Sequence, residues 1–334
     1  MSKPSRKTLM ILGGVAGASL VLGAVAWMPP PDELQRSEVG RQVLPAFESK
    51  ASLVGMVTVT TSEESYHIVR GPQGWAVAEK GGYPVTDAKI QELTEALSHI
   101  TYAKAMTRDD RKFDRIGLGD PAQGGTGALL DVSDGEGNDF AKLLVGYRDG
   151  QSYVRKPDDL QAWAVGNGVL PPLQRASAWL DLEVVRIAAA DITGADVRPA
   201  EGLPYRLQST GTGVFALAPP NDRRMVFAAL GPKMVAEALT RLAPTDVTPA
   251  AQVAVGAPHA EHVTRLASGV AIVVRCWRAK DRGWVTVSAA TTEGASPEAV
   301  SLAQAINGKA APWAFALTEL DWGAFATPLN VLAE

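Results

Sequence analysis

One unbroken apolar stretch dominates the start of this sequence, and it runs from Leu9 to Met28. It is 20 residues long, contains no charge, and follows the basic residues Lys3, Arg6 and Lys7. A helix of roughly 20 apolar residues crosses the ~30 Å hydrocarbon core of a bilayer with its backbone polar groups paired. We therefore expect a transmembrane helix here. The rest of the chain is then a body tethered to a membrane or exported across it.

The flanks of this stretch predict its orientation. Basic residues before the span favour a cytoplasmic N-terminus, and Trp27 suits the opposite membrane–water interface. The alternative is a cleaved signal peptide, because Ala24-Val25-Ala26 fits a small-x-small cleavage pattern. A signal peptide usually has an apolar region of about 7–15 residues, which is shorter than this stretch. Cleavage after Ala26 stays open, and both alternatives place the body outside the cytoplasm.

The composition of the body excludes several classes of partner. Beyond residue 31 the chain carries 29 basic and 36 acidic residues, a net charge of −7. A mildly acidic body lacks the basic stripe that nucleic acid requires, so no nucleic-acid partner is expected. Cys276 is the only cysteine, which rules out an internal disulfide and a cysteine-rich metal site. Its strand-like surroundings predict a buried structural thiol.

Composition shifts and patterning divide the chain into five segments. They are a cytoplasmic basic tail (1–8), the transmembrane anchor (9–28), a Pro-rich linker (29–50), a first α+β repeat (51–187) and a second α+β repeat (188–334). The linker begins with Pro29-Pro30-Pro31, which favours an extended exit from the membrane.

The first repeat alternates strand signals with one clear helix. Alternating apolar residues predict strands at 56–60, 65–70 and 75–78, and hairpins at 128–145 and 152–165. The helix is predicted from Asp87 to Ile100. Its apolar residues Ile90, Leu93, Leu97 and Ile100 are spaced by 3, 4 and 3. A second helix is predicted from Pro171 to Asp181, with Leu173 and Trp179 as its apolar anchors.

The second half repeats this order at an offset of about 140 residues. The run 213–218 is similar to 74–78, and Gly231-Pro232 opens a predicted helix whose apolar face ends at Leu242. Strands at 270–274 and 283–287 match the first hairpin, and 312–317 matches 161–165. We therefore predict an α+β fold of two tandem copies. Each copy is a mainly antiparallel sheet with one principal covering helix, and both follow an N-terminal transmembrane helix.

The order of these elements resembles a bacterial family of envelope proteins of unknown function, DUF family 4340. The shared features are the basic start, the apolar span, and the motifs Gly74-Trp75-Ala76-Val77, Tyr83-Pro84-Val85, Gly117-Leu118-Gly119-Asp120-Pro121 and Tyr153-Val154-Arg155. The second half departs from this pattern, since Phe215 replaces the tryptophan and no Tyr-Pro pair occurs.

The resemblance implies a location and a context rather than an activity. It implies a single-pass protein of the bacterial inner membrane with a periplasmic body. It also implies an accessory role beside ABC-type transporter components. It supplies no catalytic residues.

Possible metal and phosphate sites each have a simpler explanation. His259-Ala260-Glu261-His262 has the H-x-x-H spacing, but zinc sites generally need three or four ligands and the surrounding residues suggest a loop. The segment 135–139 matches half of a calcium-binding repeat, although a hairpin turn accounts for it better. The segment 124–127 lacks the lysine of a phosphate-binding loop. We expect no metal-binding or cofactor-binding residues.

Catalysis is also not expected. No G-x-S-x-G motif occurs, and the chain has only four histidines. The recurring pairs Trp163/Trp313 and Trp179/Trp322 favour packing in the core over a ligand cage. We therefore expect no catalytic residues.

The sequence leaves three functions open. The first is a membrane-anchored, extracytoplasmic, non-enzymatic accessory or scaffold of an ABC-type transport or envelope complex, with the membrane and a protein as partners. The second is a module that binds or senses a lipid, peptide or glycan in a cleft between the two repeats. The third is an envelope hydrolase.

Overall fold

The computed structural model describes residues 37–219 and 231–333, which form an α+β fold with two antiparallel sheets. The nine strands of the first sheet are β1 (Met56–Thr60), β2 (Ser65–Gly71), β3 (Gly74–Val77), β4 (Tyr83–Val85), β5 (Thr101–Ala105), β6 (Ala128–Ser133), β7 (Asp139–Arg148), β8 (Gln151–Arg155) and β9 (Trp163–Gly166). The eight strands of the second sheet are β10 (Ile192–Pro199), β11 (Tyr205–Gly211), β12 (Val214–Leu217), β13 (Asp246–Pro249), β14 (Ala260–Leu266), β15 (Val270–Ala279), β16 (Arg282–Thr291) and β17 (Trp313–Leu317).

The two sheets have the same strand order over eight strands. The first runs β4-β3-β2-β1-β6-β7-β8-β9-β5, and the second runs β12-β11-β10-β14-β15-β16-β17-β13. Strand β1 corresponds to β10, β6 to β14 and β9 to β17, so Trp163 and Trp313 lie at the starts of corresponding strands. Among residues 37–219 and 231–333, only β4, which carries Tyr83 and Pro84, has no counterpart. The predicted hairpins at 128–145 and 152–165 are confirmed as the antiparallel pairs β6–β7 and β8–β9.

Five α-helices lie among the described residues: α1 (Asp87–His99), α2 (Pro232–Ala236), α3 (Pro297–Ala310), α4 (Glu319–Ala326) and α5 (Leu329–Leu332). The prediction of α1 is confirmed, because Ile90, Leu93 and Leu97 form its buried face. Ile100, the last residue of that predicted face, is also buried but follows the helix.

Two helix predictions need correction. The single helix predicted after Gly231-Pro232 is the short helix α2 followed by a 3-10 turn at Ala238–Arg241. Between Pro171 and Asp181 only Ala176–Trp179 is helical, as a 3-10 turn. Leu173 and Trp179 are nevertheless buried, as predicted.

The sequence patterns do not predict α3, which is the longest described helix of the second half. It begins with Ser296 as its N-cap, whose hydroxyl accepts from the amide of Ala299, and with proline at its first position. Its buried face consists largely of alanines, namely Ala299, Ala303 and Ala310, with Ile306 among them. Because alanine is only weakly hydrophobic, this buried face does not stand out as an apolar periodicity in the sequence.

The described chain divides into two compact units. Among the described residues, one unit comprises 37–65 and Ile90–Leu173, and the other comprises Tyr66–Lys89, 174–219 and 231–333. These units do not follow the repeat boundaries 51–187 and 188–334, because residues 66–89 group with the second half. Those boundaries remain a prediction from sequence.

In the first unit, the segment before β1 follows the edge of the sheet. The amide of Gly40 donates to the carbonyl of Tyr102, and the amide of Val43 donates to the carbonyl of Ile100. Val43 and Phe47 are each only 1% exposed. This segment therefore satisfies backbone groups of β5, an edge strand, and closes the core beside it.

The predicted anchor at 9–28 and the tail at 1–8 lie outside the described residues. Within 37–219 and 231–333, no helix is both long enough and apolar enough to cross a bilayer.

In the second unit, helix α3 is attached to β16 through one side chain. The Asn307 amide nitrogen donates to the carbonyl of Ala289, and the amide of Ala289 donates to the Asn307 oxygen, both at 2.8 Å. Strand β17 pairs with β16 only over Gly283–Val285. Asn307 therefore supplies the hydrogen bonds that β17 does not extend far enough to make.

We predict that Asn307→Ala lowers the free energy of unfolding by about 1–3 kcal/mol, because the buried N–H and C=O of Ala289 both lose their partner. Urea denaturation monitored by circular dichroism measures this as a lower midpoint with an unchanged slope. Gln304→Ala, at an exposed position of the same helix, is the control and should change stability by less than about 0.5 kcal/mol. Equal midpoints for the two variants would contradict this role of Asn307.

Candidate functional site

A groove of ≈ 390 Å³ opens on the second unit. One wall comes from β3, β4 and the start of α1, and the other from the end of α3 and the start of β17. Its aromatic side chains are Trp75, Tyr83 and Trp313. Its polar side chains are Gln73, Thr86, Asp87, Asp181 and Lys309. The lining therefore combines residues from the two halves of the sequence.

Tyr83 is the central residue of this groove. Alternation along β4 buries Tyr83 and Val85 and leaves Pro84 exposed. The Tyr83 hydroxyl donates to the carbonyl oxygen of Asp181 at 2.7 Å. Burial, together with the nearby Asp181 charge, raises the pKa of Tyr83 to about 12, so the phenol stays a neutral donor.

The ring of Tyr83 packs against β17. It meets Trp313 edge-to-face at 5.0 Å between ring centroids, and Phe315 at 6.3 Å with nearly perpendicular planes. Edge-to-face pairs of this kind contribute about 0.5–1.5 kcal/mol each beyond the area they bury. Trp313, which is half-buried, thereby keeps a fixed position on the groove wall.

An ion pair fixes the opposite rim. Lys309 Nζ lies 3.0 Å from Asp181 Oδ2, and the amide of Glu183 donates to Asp181 Oδ1 at 3.3 Å. Burial works against ionisation of Asp181, but the hydrogen bond from Lys309 and the other favourable interactions outweigh it and lower its pKa. The carboxylate is therefore ionised at neutral pH and accepts the bond from Lys309.

A glycine turn brings β4 close to β13. Gly81 has φ +69, and an added Cβ would overlap the ring of Pro249. Next to it, Lys80 pairs with Asp246 at 2.8 Å, and each side chain is only 16% exposed. Only glycine permits this approach, which sets the position from which Tyr83 reaches Asp181.

The two histidines of the H-x-x-H motif differ in burial and in their contacts. His262 is fully buried, and its Nε2 donates to the carbonyl of Val235 at 2.9 Å. His259 precedes β14, is exposed, and contacts the ring of Trp322. The ring of His262 contacts the ring of Phe325. Within the described residues, no group of three or more potential ligand side chains could hold a metal ion.

The remaining sequence motifs serve the fold. The turn at 135–139 joins β6 to β7, and the Asp134 carboxylate accepts from the amides of Glu136 and Asn138. Residues 124–127 form a loop in which the amide of Gly127 donates to the carbonyl of Gly119. Cys276 is buried in β15, and burial raises its pKa to about 12, so the thiol stays protonated.

The sequence did not identify the groove. Tyr83 and Trp75 belong to motifs that the sequence shares with the family pattern, and these motifs are the feature of the sequence that points to this part of the groove. Asp181, Lys309 and Trp313 lie about 100 to 230 residues further along the chain. No local spacing links these residues to β4, so only the tertiary structure brings them together.

His262 gives the fold a pH dependence. Burial lowers its pKa to about 4, against a value of 6.5 for an unperturbed histidine, while its bond to Val235 and the charge of Asp196 oppose this shift. The unfolded chain therefore binds the proton between pH 6.5 and 4 and the folded chain does not. Stability is fully present above pH 6.5, falls as the pH drops towards 4, and the total loss is about 3 kcal/mol.

We predict that His262→Gln, whose amide still donates to Val235, removes most of this loss between pH 6.5 and 4. Urea denaturation at half-unit pH steps measures it. His259→Gln is the control, because that ring is exposed, and it should retain the wild-type slope. A wild-type slope in the His262 variant would show that other groups carry the pH dependence.

Comparison with known proteins gives one match. The family described as Domain of unknown function (DUF4340) matches residues 75–252. A search of curated proteins and a search of solved structures each returned no match. The matched segment includes most of β3 and all of β4 and α1, and therefore most of one wall of the groove. Because the match covers more than half of the chain, this protein belongs to the DUF4340 family.

Proposed function

We propose that this protein is a membrane-anchored, extracytoplasmic, non-enzymatic recognition module that binds its ligand in the groove between β4 and the end of α3. The aromatic groove carries this proposal. Concave sites of about 300–1,000 Å³ with apolar walls and a few oriented polar groups are typical ligand sites, and this groove is at the small end of that range. It favours the binding module over a scaffold that lacks a ligand site.

The polar groups that organise the groove support recognition rather than reaction. The Tyr83 hydroxyl donates a hydrogen bond to the carbonyl of Asp181, and the Asp181 carboxylate accepts one from Lys309. The Lys89 ammonium similarly donates to the carbonyl of Ala178 at 2.8 Å. A general base needs an accessible group with a pKa near the working pH. These three groups instead hold the walls in place.

An accessory role in an ABC-type transport or envelope complex is the wider context that we propose for this binding. The resemblance described from the sequence supports it, and so does the predicted single span with a cytoplasmic N-terminus. In this context the anchor holds the groove near the outer surface of the membrane, where a transporter component would lie.

We also propose that the body arose by duplication of one α+β unit. The common strand order of the two sheets supports this origin, as do the corresponding positions of β9 and β17 and of the tryptophans at their starts.

We predict that the native chain fractionates with membranes and that external protease digests its body in spheroplasts. Deletion of residues 9–28 behind a cleavable signal should release a folded body, and cells that carry only this form should lose the protein's function. Protection of the body from external protease would contradict the proposed location. A fully active released form would contradict the role of the anchor.

We predict that a photo-crosslinking amino acid at the exposed rim position Gln73 forms a defined adduct in intact cells. The same amino acid at Glu293, an exposed turn after β16, should not form it. Gly308→Leu should abolish the adduct because the new side chain occupies the groove. Gly308→Ala, which adds one methyl group in open space, should retain it.

Absence of any adduct at Gln73, or an adduct that Gly308→Leu leaves intact, would overturn the proposed binding role. Neither variant should lose stability, because leucine and alanine both have higher helix propensity than glycine. Circular dichroism melts of the two variants check this point.

A further inference from the structure

The chemistry of the groove narrows the class of its ligand, and this step rests on the proposed binding role. Trp313 is the half-buried aromatic ring of the wall, and Tyr83 fixes its position by edge-to-face contact. Trp75 and Tyr83 are almost fully buried, so they support the floor rather than offer a free face. The groove thus presents one rigid, flat apolar surface.

Polar groups of both charge signs surround this surface. Asp87 and Asp181 supply carboxylates, Lys309 supplies an ammonium, and the exposed side chains of Gln73 and Thr86 add an amide and a hydroxyl. Hydrogen-bond donors and acceptors are both present. An anionic ligand would face the two carboxylates, and a cationic ligand would face the ammonium. The mixture suits a neutral ligand that both donates and accepts.

The groove does not suit a lipid chain or an extended peptide. A long acyl chain requires a continuous apolar lining, and here polar groups interrupt it. An added peptide strand would have to pair with β4, which lies at the edge of its sheet and has only three residues. Pro84, in the middle of β4, has no N–H to donate to an incoming strand.

Gly308 keeps the groove open. It lies in the last turn of α3, and an added Cβ there would meet no atom within 4 Å. Glycine in a helix costs up to about 1 kcal/mol relative to alanine. Gly308 and Lys309 are the residues of α3 that line the groove. The helix is thus less stable at Gly308 than it would be with alanine there.

We propose that the groove binds a neutral saccharide, with one pyranose ring stacked on Trp313 and its hydroxyl groups bound by the polar rim. A pyranose ring has an apolar C–H face that packs on an aromatic ring, while its edge carries hydroxyls that donate and accept. A volume of ≈ 390 Å³ accommodates one or two such rings. The apolar ring of Trp313 and the polar rim beside it therefore agree with a neutral saccharide in both chemistry and placement.

The test uses the purified full-length chain in detergent and isothermal titration calorimetry. The probes are the neutral oligosaccharides maltotriose, cellotriose, laminaritriose and chitotriose, with phosphocholine and trialanine as probes of other classes. At least one oligosaccharide should bind. Trp313→Ala and Gly308→Leu should each weaken this binding at least tenfold, and Gly308→Ala should change it by less than threefold.

Each outcome bears on the proposal. No binding of the four oligosaccharides, or binding that Gly308→Leu does not weaken, would overturn it. Tighter binding of phosphocholine or trialanine than of every oligosaccharide would do the same. If the Gln73 adduct forms and depends on Gly308 while no oligosaccharide binds, recognition stands and the saccharide assignment fails. Failure of both experiments would remove both proposals.

Discussion

Tyr83 joins three segments of the second unit that lie far apart in sequence. Its hydroxyl holds the carbonyl of Asp181, and its ring packs against Trp313 and Phe315 of β17. A hydrogen bond of this type contributes about 1 kcal/mol net, and leaving the buried phenol unpaired would cost about 1–3 kcal/mol. With the aromatic contacts added, one side chain fixes β4, the 181 region and β17 relative to one another.

The position of Tyr83 depends on the turn before it. Gly81 lets the chain pass against Pro249, and the ion pair of Lys80 with Asp246 holds the same place. Because both partners are largely shielded from water, this ion pair is stronger than an exposed one but also requires desolvation. Its main effect is therefore geometric. It fixes the register between the turn and β13, and Tyr83 points towards Asp181 as a result.

Much of the fold could be predicted from the sequence, because strands and amphipathic helices leave periodic patterns. The helical spacing of Leu93 and Leu97 predicts α1, and alternating apolar residues predict β6 to β9. The unpredicted helix α3 buries Ala299 and Ala303, which contrast little with their neighbours in hydrophobicity. The groove was not predictable, because its walls meet only through tertiary contacts. Tyr83 was visible as part of a motif, but the motif does not reveal its partners.

The buried alanines of α3, which make this helix hard to predict from the sequence, also explain the shape of the site. Alanines on the buried face allow the helix axis to approach β16 closely, so that Asn307 can reach the backbone of Ala289. Asn307 precedes Gly308 and Lys309, and its two hydrogen bonds therefore fix the turn of helix that lines the groove. Lys309 then extends to Asp181, and Gly308 leaves the groove beside this ion pair open. The helix end is thus positioned by a side chain that itself lies outside the groove, so a substitution at Asn307 should alter the site as well as the stability of the fold.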